Sequence, residues 1–356
     1  CTAAITAPKK NVQKKDRARF SPSSIFAAAR KTGIEVDLPV EVQYHCPQNG
    51  QGEPNSFRDF GKFPVPNLNI FSYGLCNLID LGGWALLGIL DPETVDEKVE
   101  ALVFSIASEF ENTRISFRNL LEELNMRVSG RTTQSGRTGR SDWINIGGIS
   151  HHIATIRKVM RDINAAVNHK LVGLLRVDSP CGDPLPLEQL RNGSFWVVDL
   201  SRLNDNGQRL VFYRILSHIE QNLAANTPGF PSKVIVFVDE LNKFAPSGAL
   251  RKLPLKSQII DIASRGRSIG LILIGAEQFS SMIDDQVFGN AGTIVVGRSQ
   301  AVELKNYNYA WMSEGFKKKC QALPKGYMVL KHAIHCLLYT SPSPRDLSTS
   351  RMPSSA

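Results

Sequence analysis

VIVFVDELNKFAP, from Val234 to Pro246, is the stretch that decides the fold. Five consecutive apolar residues are followed directly by two carboxylates, Asp239 and Glu240. A short apolar run rich in β-branched residues is typical of a strand that is buried on both faces. A charge at the end of such a strand costs free energy unless a metal ion, water or a cation binds it. Packing alone therefore does not explain why two carboxylates stand here.

Three more apolar runs of the same kind occur in this half of the sequence. They are FWVVDLSRL from Phe195, LILIGAEQ from Leu271 and TIVVGR from Thr293. Each is followed by polar residues or by a helical pattern, and strands that alternate with helices predict an α/β fold with a parallel sheet covered on both faces. Active sites of such sheets lie at the carboxyl ends of the strands. The residues right after each run are therefore the candidates for chemistry.

The pair of Asp239 and Glu240 suits nucleotide hydrolysis. In nucleotide hydrolases the first carboxylate of such a pair holds Mg²⁺ through the water shell of the ion. The second carboxylate accepts a proton from the attacking water. The alternative is that the pair caps a helix beginning at Leu241. The sequence favours nucleotide chemistry, and the next segment strengthens this interpretation.

That next segment is SRGRSIGLILIGAEQ, which begins at Ser264. Gln278 follows its strand and is placed to sense a γ-phosphate and orient the attacking water. Arg265 and Arg267 precede the strand, so they point away from their own nucleotide and suit a finger supplied to a neighbouring subunit. Arg298, at the end of a later strand, is a candidate second sensor. The alternatives are a surface salt bridge for the arginines and a cap for the glutamine.

Four segments together resemble the HerA-type ATPases, which are relatives of the FtsK DNA translocases. They are VFVDELNKFAP, ASRGRSIGLILIGAEQFSS, GNAGTIVVGR and the LPKG turn at Leu323–Gly326, in the order and spacing of that family. The resemblance covers the chain from around Gly193 to His332, and Val40–Gly193 is more loosely similar to the family's helical insertion. It implies a RecA-like P-loop NTPase fold with a parallel sheet and a helical insertion.

The resemblance also implies roles for individual residues. These are Asp239 as the magnesium-side Walker B acid, Glu240 as the catalytic base, Gln278 as the sensor, and Arg267, less directly Arg265, as the finger donated to the adjacent subunit. The implied cofactors are ATP and Mg²⁺. Members of the family assemble as homo-hexameric rings that move along double-stranded DNA.

The sequence departs from the family in one motif. The GxxxxGK[ST] loop, whose backbone amides and lysine hold the phosphates, does not occur in it. The nearest imitation, within Gly130–Ser141, follows no apolar strand and is not a P-loop. We expect the loop to lie upstream of Cys1, so that the fold is incomplete at its amino terminus.

The chain divides into three expected parts. Residues 1–192 hold the part of the ATPase domain after the P-loop, with the helical insertion, and residues 193–335 hold the RecA-like core. Residues 336–356, CLLYTSPSPRDLSTSRMPSSA, resemble the translation of a sequencing adapter. We expect the native sequence to end at His335.

Composition favours a polyanionic partner and a reducing compartment. The net charge of +9 attracts polyanions without specifying one. The six cysteines form no CxxC pair, which predicts neither a disulfide framework nor a zinc site and points to a cytoplasmic location. No apolar run reaches the roughly 18 residues that a membrane-spanning helix needs.

An arginine-rich segment, RVSGRTTQSGRTGRSD at Arg127–Asp142, is predicted to be a mobile loop. Its arginines are candidates for contacting DNA phosphates, or else belong to a solvated linker. They are Arg127, Arg131, Arg137 and Arg140.

The predicted function is that of an ATP-dependent DNA translocase or helicase subunit in a hexameric ring. The alternatives are a ring ATPase that moves DNA or protein through a secretion or conjugation pore, and a DNA-binding relative without ATPase activity. A nuclease partner and the direction of movement stay open.

Overall fold

The computed structural model describes residues 2–3, 42–62, 64–65, 67–79, 83–90, 96–132, 142–248, 254–324 and 327–332. The strands are β1 (Thr2–Ala3), β2 (Val42–Pro47), β3 (Leu68–Phe71), β4 (Trp143–Ile146), β5 (Ile149–His152), β6 (Phe195–Val198), β7 (Val234–Asp239), β8 (Leu271–Ala276), β9 (Thr293–Val296) and β10 (Val329–His332). The helices are α1 (Leu75–Ile79), α2 (Trp84–Leu87), α3 (Glu97–Phe110), α4 (Phe117–Thr132), α5 (Ile153–Ala165), α6 (Asp205–Ala224), α7 (Pro254–Ile269), α8 (Asp285–Gly289), α9 (Ala301–Leu304) and α10 (Glu314–Gln321).

A six-stranded parallel sheet forms the centre of the fold, in the order β3-β2-β6-β1-β7-β8. The parallel sheet predicted from the apolar runs is confirmed for β6, β7 and β8. Buried residues of these strands, among them Val198, Val236 and Leu271, belong to the main hydrophobic core together with the apolar faces of α6 and α7. All six carboxyl ends lie at one edge, which is the edge where such sheets place their active sites.

A helical insertion separates β3 from β6, as the sequence predicted. It consists of α3, α4, the β4–β5 hairpin and α5. Asp96 caps α3, because its carboxylate accepts hydrogen bonds from the amides of Val99 and Lys98 at 2.9 and 3.0 Å. The hydrogen bond from Val99 is the main reason why the pKa of Asp96 is lowered.

The fourth predicted strand of the parallel sheet is placed differently. The TIVVGR run forms β9, but β9 pairs antiparallel with β10 in a separate two-stranded sheet. This pair packs on its own small core, which includes Val296, Leu304 and Cys320. A four-residue apolar run predicts a strand, but it does not say which sheet the strand joins.

One face of the β7–β8 pair is exposed, although the sequence predicted a sheet covered on both faces. Ile235 lies opposite Ile272 and Phe237 lies opposite Ile274 in the register. All four side chains are exposed, whereas Val234, Val236 and Val238 on the other face are buried. The described part of the chain covers only the valine face of these two strands.

The cysteine prediction was wrong for one pair. Cys76 and Cys181 form a disulfide with their Cα atoms 5.3 Å apart. Asn77 holds the same two segments together, since its side-chain oxygen accepts hydrogen bonds from the amides of Gly74 and Gly182 at 2.8 Å each. The two cysteines are 105 residues apart, and spacing rules for local CxxC pairs cannot detect such a contact.

Among the described helices, none is both long enough and apolar enough to cross a membrane.

Candidate active site at the carboxyl ends of β7 and β8

Asp239 is the last residue of β7, and Glu240 begins the turn that follows it. The Asp239 carboxylate accepts a hydrogen bond from the Glu240 amide at 3.1 Å. Glu240 has a φ of 57° and a ψ of 54°, the left-handed conformation that costs a residue with a side chain about 1–2 kcal/mol. The chain therefore turns sharply out of the sheet at Glu240. No helix begins directly at Leu241, where the structure has only a short 3₁₀ turn, Leu241–Lys243.

Strand β8 places Gln278 at the same edge of the sheet. Asp239 lies opposite Ala276 in the parallel register, two residues before Gln278. The Leu241 side chain can pack directly on β8 because Gly275 has no side chain. A Cβ atom there would come within 2.4 Å of the Leu241 side chain, which is buried over it. The predicted pair of Glu240 and Gln278 thus leaves adjacent strands at one edge, and the Gln278 side chain is exposed there.

Glu277 connects the two halves of this site and was missed in the sequence. One of its carboxylate oxygens accepts a hydrogen bond from the Asn242 amide at 2.9 Å. The other accepts one from the Gln278 amide at 2.7 Å. Hydrogen bonds to a carboxylate are short and strong, so Glu277 ties the turn after β7 to the segment after β8. Its position directly after the apolar run of β8 was the signal that could have identified it.

Lys243 is a second residue that the sequence did not single out. Its ammonium lies 2.5 Å from the Glu240 carboxylate, three residues earlier in the chain. Its carbonyl oxygen accepts a hydrogen bond from the side chain of Arg209 in α6 at 3.1 Å. The base candidate is therefore paired with a cation, in a turn that a helix of the core holds in place.

A fourth carboxylate lies at the same edge, at the end of β6. Asp199 is 4% exposed and accepts hydrogen bonds from the Tyr44 hydroxyl at 2.7 Å and the Ser56 hydroxyl at 2.5 Å. The amide of Ser201 donates to its other oxygen at 3.0 Å. Burial is the main reason why the pKa of Tyr44 is raised, and its hydrogen bond to Asp199 adds to the effect. Asp199 directly follows the apolar run FWVV, as Asp239 directly follows VIVFV, so the sequence pattern could have identified it.

The two finger candidates lie at the opposite edge of the sheet. Helix α7 runs back from the carboxyl edge for 16 residues, about 24 Å, and ends just before β8 begins. Arg267 stands in its last turn and is exposed, with no ion pair to any described residue. Arg265 is also exposed, but its guanidinium binds Asp261 and Glu220. The structure thus distinguishes the two candidates: Arg265 is ion-paired, whereas Arg267 has no ion pair with a described residue.

Arg298 follows β9 and is exposed. The prediction that it ends a strand of the nucleotide-binding sheet was wrong, because β9 belongs to the separate two-stranded sheet. Its place at the end of a short antiparallel strand gives it no common edge with Asp239.

The first part of the predicted arginine-rich loop is helical. Arg127 lies within α4, and its guanidinium binds Glu109 at 2.6 Å and Glu123 at 2.8 Å. The prediction that Arg127 lies on a loop was therefore wrong, and two carboxylates already bind its side chain. Arg131 is in the last turn of α4, and Arg137 and Arg140 lie outside the described residues.

Comparison with known proteins supports the fold. Neither models of known protein families nor curated proteins match the sequence. The structure of VirB4 from Thermoanaerobacter pseudethanolicus is similar over 97% of this chain and 90% of that chain, with 11% identity and a TM-score of 0.50. The plasmid coupling protein TrwB in complex with an ATP analogue has 14% identity over 93% and 81% of the two chains, with a TM-score of 0.44. The genome packaging NTPase B204 of Sulfolobus turreted icosahedral virus 2 in complex with ATP-gammaS has 15% identity over 44% and 70%, with a TM-score of 0.33.

The sheet and the VirB4 similarity show the class of fold. The chain has an α/β fold with a parallel sheet and a helical insertion between its strands, and this fold is similar to that of VirB4 over nearly the whole chain.

Proposed function

We propose that this chain is the ATPase subunit of a ring motor of the HerA/FtsK type that moves along double-stranded DNA. One observation carries the proposal. Glu240 and Gln278 leave two paired parallel strands at the same edge, next to Asp239. This is the edge at which such sheets carry out their chemistry, and the three residue types are those that a nucleotide hydrolase needs.

Each residue has a role in the proposed reaction. Asp239 would hold Mg²⁺ through water molecules, as suits a hard cation that keeps several waters. Glu240 takes a proton from the attacking water, and Gln278 orients that water beside the γ-phosphate. Among the described residues, no group of three or more His, Cys, Asp or Glu side chains is placed to bind a metal by itself.

The phosphates need a cradle that the printed sequence does not contain, since GxxxxGK[ST] does not occur in it. We propose that residues outside this sequence supply it. The ATPase assays below therefore use protein that includes that loop. Bound ATP supplies the γ-phosphoryl group, and the residues named above only position and deprotonate the water.

The ring and the DNA rest on separate observations. Arg267 stands about one strand length, roughly 20 Å, from the carboxyl edge of its own sheet, too far to reach a nucleotide there. An adjacent subunit in a hexamer gives this exposed arginine a partner. The net charge of +9 suits a DNA substrate, and Arg131, Arg137 and Arg140 are kept as candidates for phosphate contact in the channel. A cytoplasmic location and a nuclease partner belong to the same proposal.

DNA-stimulated ATP hydrolysis tests this function. We expect linear duplex DNA to increase the rate of hydrolysis and the motor to displace a triplex-forming strand from its track. Asp239→Asn should abolish both activities, while Glu314→Gln, an exposed carboxylate on α10, should leave them intact. Hydrolysis without any response to DNA would favour a protein-moving pore ATPase. DNA binding without hydrolysis would show an inactive relative.

A further inference from the structure

A groove lies between α4 and α5 of the helical insertion, with a cavity volume of about 560 Å³. Its floor is apolar and consists of Leu121, Met160 and Val177, which pack against the main core. Its rim is polar, with three arginines and three asparagines. They are Arg118, Arg157, Arg161, Asn125, Asn164 and Asn168.

The helical repeat aligns these residues. Arg157, Arg161, Asn164 and Asn168 recur at intervals of four, three and four residues, which places them on one face of α5 and its continuation. Arg118 and Asn125, seven residues apart on α4, face them across the groove. The groove is thus lined along its length by donors on two helices, and Glu122 is the single acid among the lining residues.

The arginines of the groove are poorly neutralised. Arg157 makes no ion pair with a described residue, and Arg161 is 3.7 Å from Asp162 with 74% of its side chain exposed. Arg118 binds Asp178, and both side chains are largely exposed. Exposed ion pairs are weak, so an incoming phosphate can replace them. Arg157 and Arg161 lie one turn apart and repel each other, and a bound anion would relieve this repulsion.

Basic residues elsewhere on the same two helices behave differently. Arg127 on α4 is bound by two carboxylates at 2.6 and 2.8 Å, and Lys158 on α5 pairs with Asp96 at 3.7 Å. Arg157, next to Lys158 in sequence, lines the groove and makes no ion pair with a described residue. Arg118 and Arg161 are ion-paired, but both side chains are largely exposed. The groove therefore presents exposed positive charge to solvent.

We propose that this groove binds the phosphate backbone of a nucleic-acid strand. Guanidinium groups bind phosphate with two parallel hydrogen bonds, and asparagine amides donate to phosphates and sugars. The narrow apolar floor suits the faces of sugars or bases. An amphipathic protein helix would need a continuous apolar stripe, whereas the floor offers three partly covered side chains. The choice of DNA as the nucleic acid rests on the proposed function. The inference that the groove binds a phosphate backbone does not depend on that function.

Binding of labelled oligonucleotides to the 356-residue chain, without nucleotide, tests the groove. Arg157→Ala/Arg161→Ala removes two charges from the groove. Lys318→Ala/Lys319→Ala removes two exposed charges from α10 and is the matched control. For duplex DNA we expect the slope of log K against log salt to become shallower by about 1.8 in the groove variant, at about 0.9 for each lost phosphate contact. The control should keep the wild-type slope.

An unchanged salt slope in the groove variant, or an equal change in the lysine control, would reject the groove as the binding site. Displacement of DNA by polyglutamate as effectively as by unlabelled DNA would also reject it, because the ligand would then be an acidic polypeptide. ATP hydrolysis without DNA, measured on protein with the phosphate-binding loop, separates this inference from the proposed function. If wild-type protein hydrolyses no ATP but the groove variant still loses DNA affinity, the groove stands and the motor assignment fails. The reverse result rejects the groove alone.

Discussion

The carboxylate of Glu240 lies 2.5 Å from the ammonium of Lys243, and the two residues begin and end one short turn after β7. Glu240 also has the left-handed backbone that turns the chain out of the sheet. A left-handed backbone at a residue with a side chain persists only where the surrounding structure stabilises it. The structure therefore holds the Glu240 carboxylate at the carboxyl edge of the sheet. Both side chains are about 40% exposed, so the pair can separate at little cost when a water or nucleotide binds.

Glu240→Gln should abolish turnover while ATP binding persists. Loss of a general base lowers the rate about 10²–10⁴-fold without removing phosphate or metal contacts. Single-turnover hydrolysis and nucleotide-binding titrations measure the two properties. Lys243→Met is the matched control, because it breaks the same ion pair but leaves the base. An exposed pair is worth at most about 1 kcal/mol, so this variant should keep activity within about fivefold. Wild-type turnover by the Gln variant would reject Glu240 as the base.

Glu277→Ala should lower kcat more than it changes the KM for ATP. Glu277 does not contact the reacting atoms in this proposal, but it holds the amides of Asn242 and Gln278. Loss of either charge-assisted hydrogen bond lets the base and the sensor drift apart, which we expect to cost about tenfold or more. Glu277→Gln offers one acceptor oxygen instead of two and should restore part of the rate. A change in melting temperature with unaltered kcat would show a purely structural role.

Stability should fall with acid partly because of His45. Its ring stacks on Trp196 with centroids 4.3 Å apart, and neither ring nitrogen has a hydrogen-bond partner among the described residues. Burial lowers the pKa of His45 from 6.5 to about 4. The unfolded chain therefore binds a proton between these values that the folded chain does not, so unfolding becomes easier as the pH falls from 6.5 towards 4. The full effect is about 3 kcal/mol.

Urea unfolding at a series of pH values measures this effect. His45→Phe should flatten the dependence on pH in that window, while His169→Asn, an exposed histidine, should not. Burial also lowers the pKa of His151 and His218, so some dependence should persist in the His45 variant. An identical slope in wild type and His45→Phe would show that the ring is already charged in the folded state.

The sequence predicted the strands of the core because local patterns carry that information. VIVFV and LILIGA are continuous apolar runs, and the residue after each run is predicted to lie at the carboxyl edge of the sheet. This prediction needs no knowledge of the rest of the chain. Glu277 was missed although it obeys the same rule, because Gln278 beside it matched a known role. Glu277 differs from Gln278 because its side chain accepts a hydrogen bond from the Asn242 amide. That contact depends on the three-dimensional position of the turn after β7, which the sequence does not show.

Contacts between distant segments were beyond the sequence. The Cys76–Cys181 bond joins α1 to a loop far away in the chain, and Asn77 holds the same two segments together. The sheet that β9 joins depends on the position of β10, and Arg127 was assigned to a loop because the Gly and Ser residues after it hid the end of α4. In each case contacts between distant segments decided the outcome.

The Cys76–Cys181 disulfide should stabilise the folded chain under oxidising conditions. The bond closes a loop between cysteines 105 residues apart, which removes conformational freedom from the unfolded state. We expect the free energy of unfolding to rise by about 2–5 kcal/mol. Urea unfolding with and without a reductant measures the difference, and a Cys76→Ala/Cys181→Ala variant should not respond to the reductant. If all six cysteines react as free thiols in the folded, unreduced protein, the bond does not form.

Arg267 and Arg265 provide the test that separates a ring motor from a solitary ATPase. Arg267→Ala should keep ATP binding and lose hydrolysis, because a finger stabilises charge that develops only in the transition state. Such fingers are worth about 10³–10⁵ in rate. Arg265→Ala is the matched control, one half-turn away on α7, because its guanidinium is already bound by Glu220 and Asp261. We expect this control to hydrolyse ATP at nearly the wild-type rate.

Mixed rings show whether Arg267 acts on a neighbour. A subunit with Arg267→Ala has a sound site and a defective finger, and a subunit with Glu240→Gln has the reverse. Mixing the two inactive proteins should restore part of the hydrolysis, at interfaces where an intact finger meets an intact site. A finger acting within its own subunit cannot produce this rescue, since every subunit would lack either the finger or the base. Arg267 stands at the edge of the sheet opposite Glu240, so we expect rescue. If the mixture stays inactive although labelled subunits exchange, Arg267 does not act in trans, and the hexameric ring loses its main structural support.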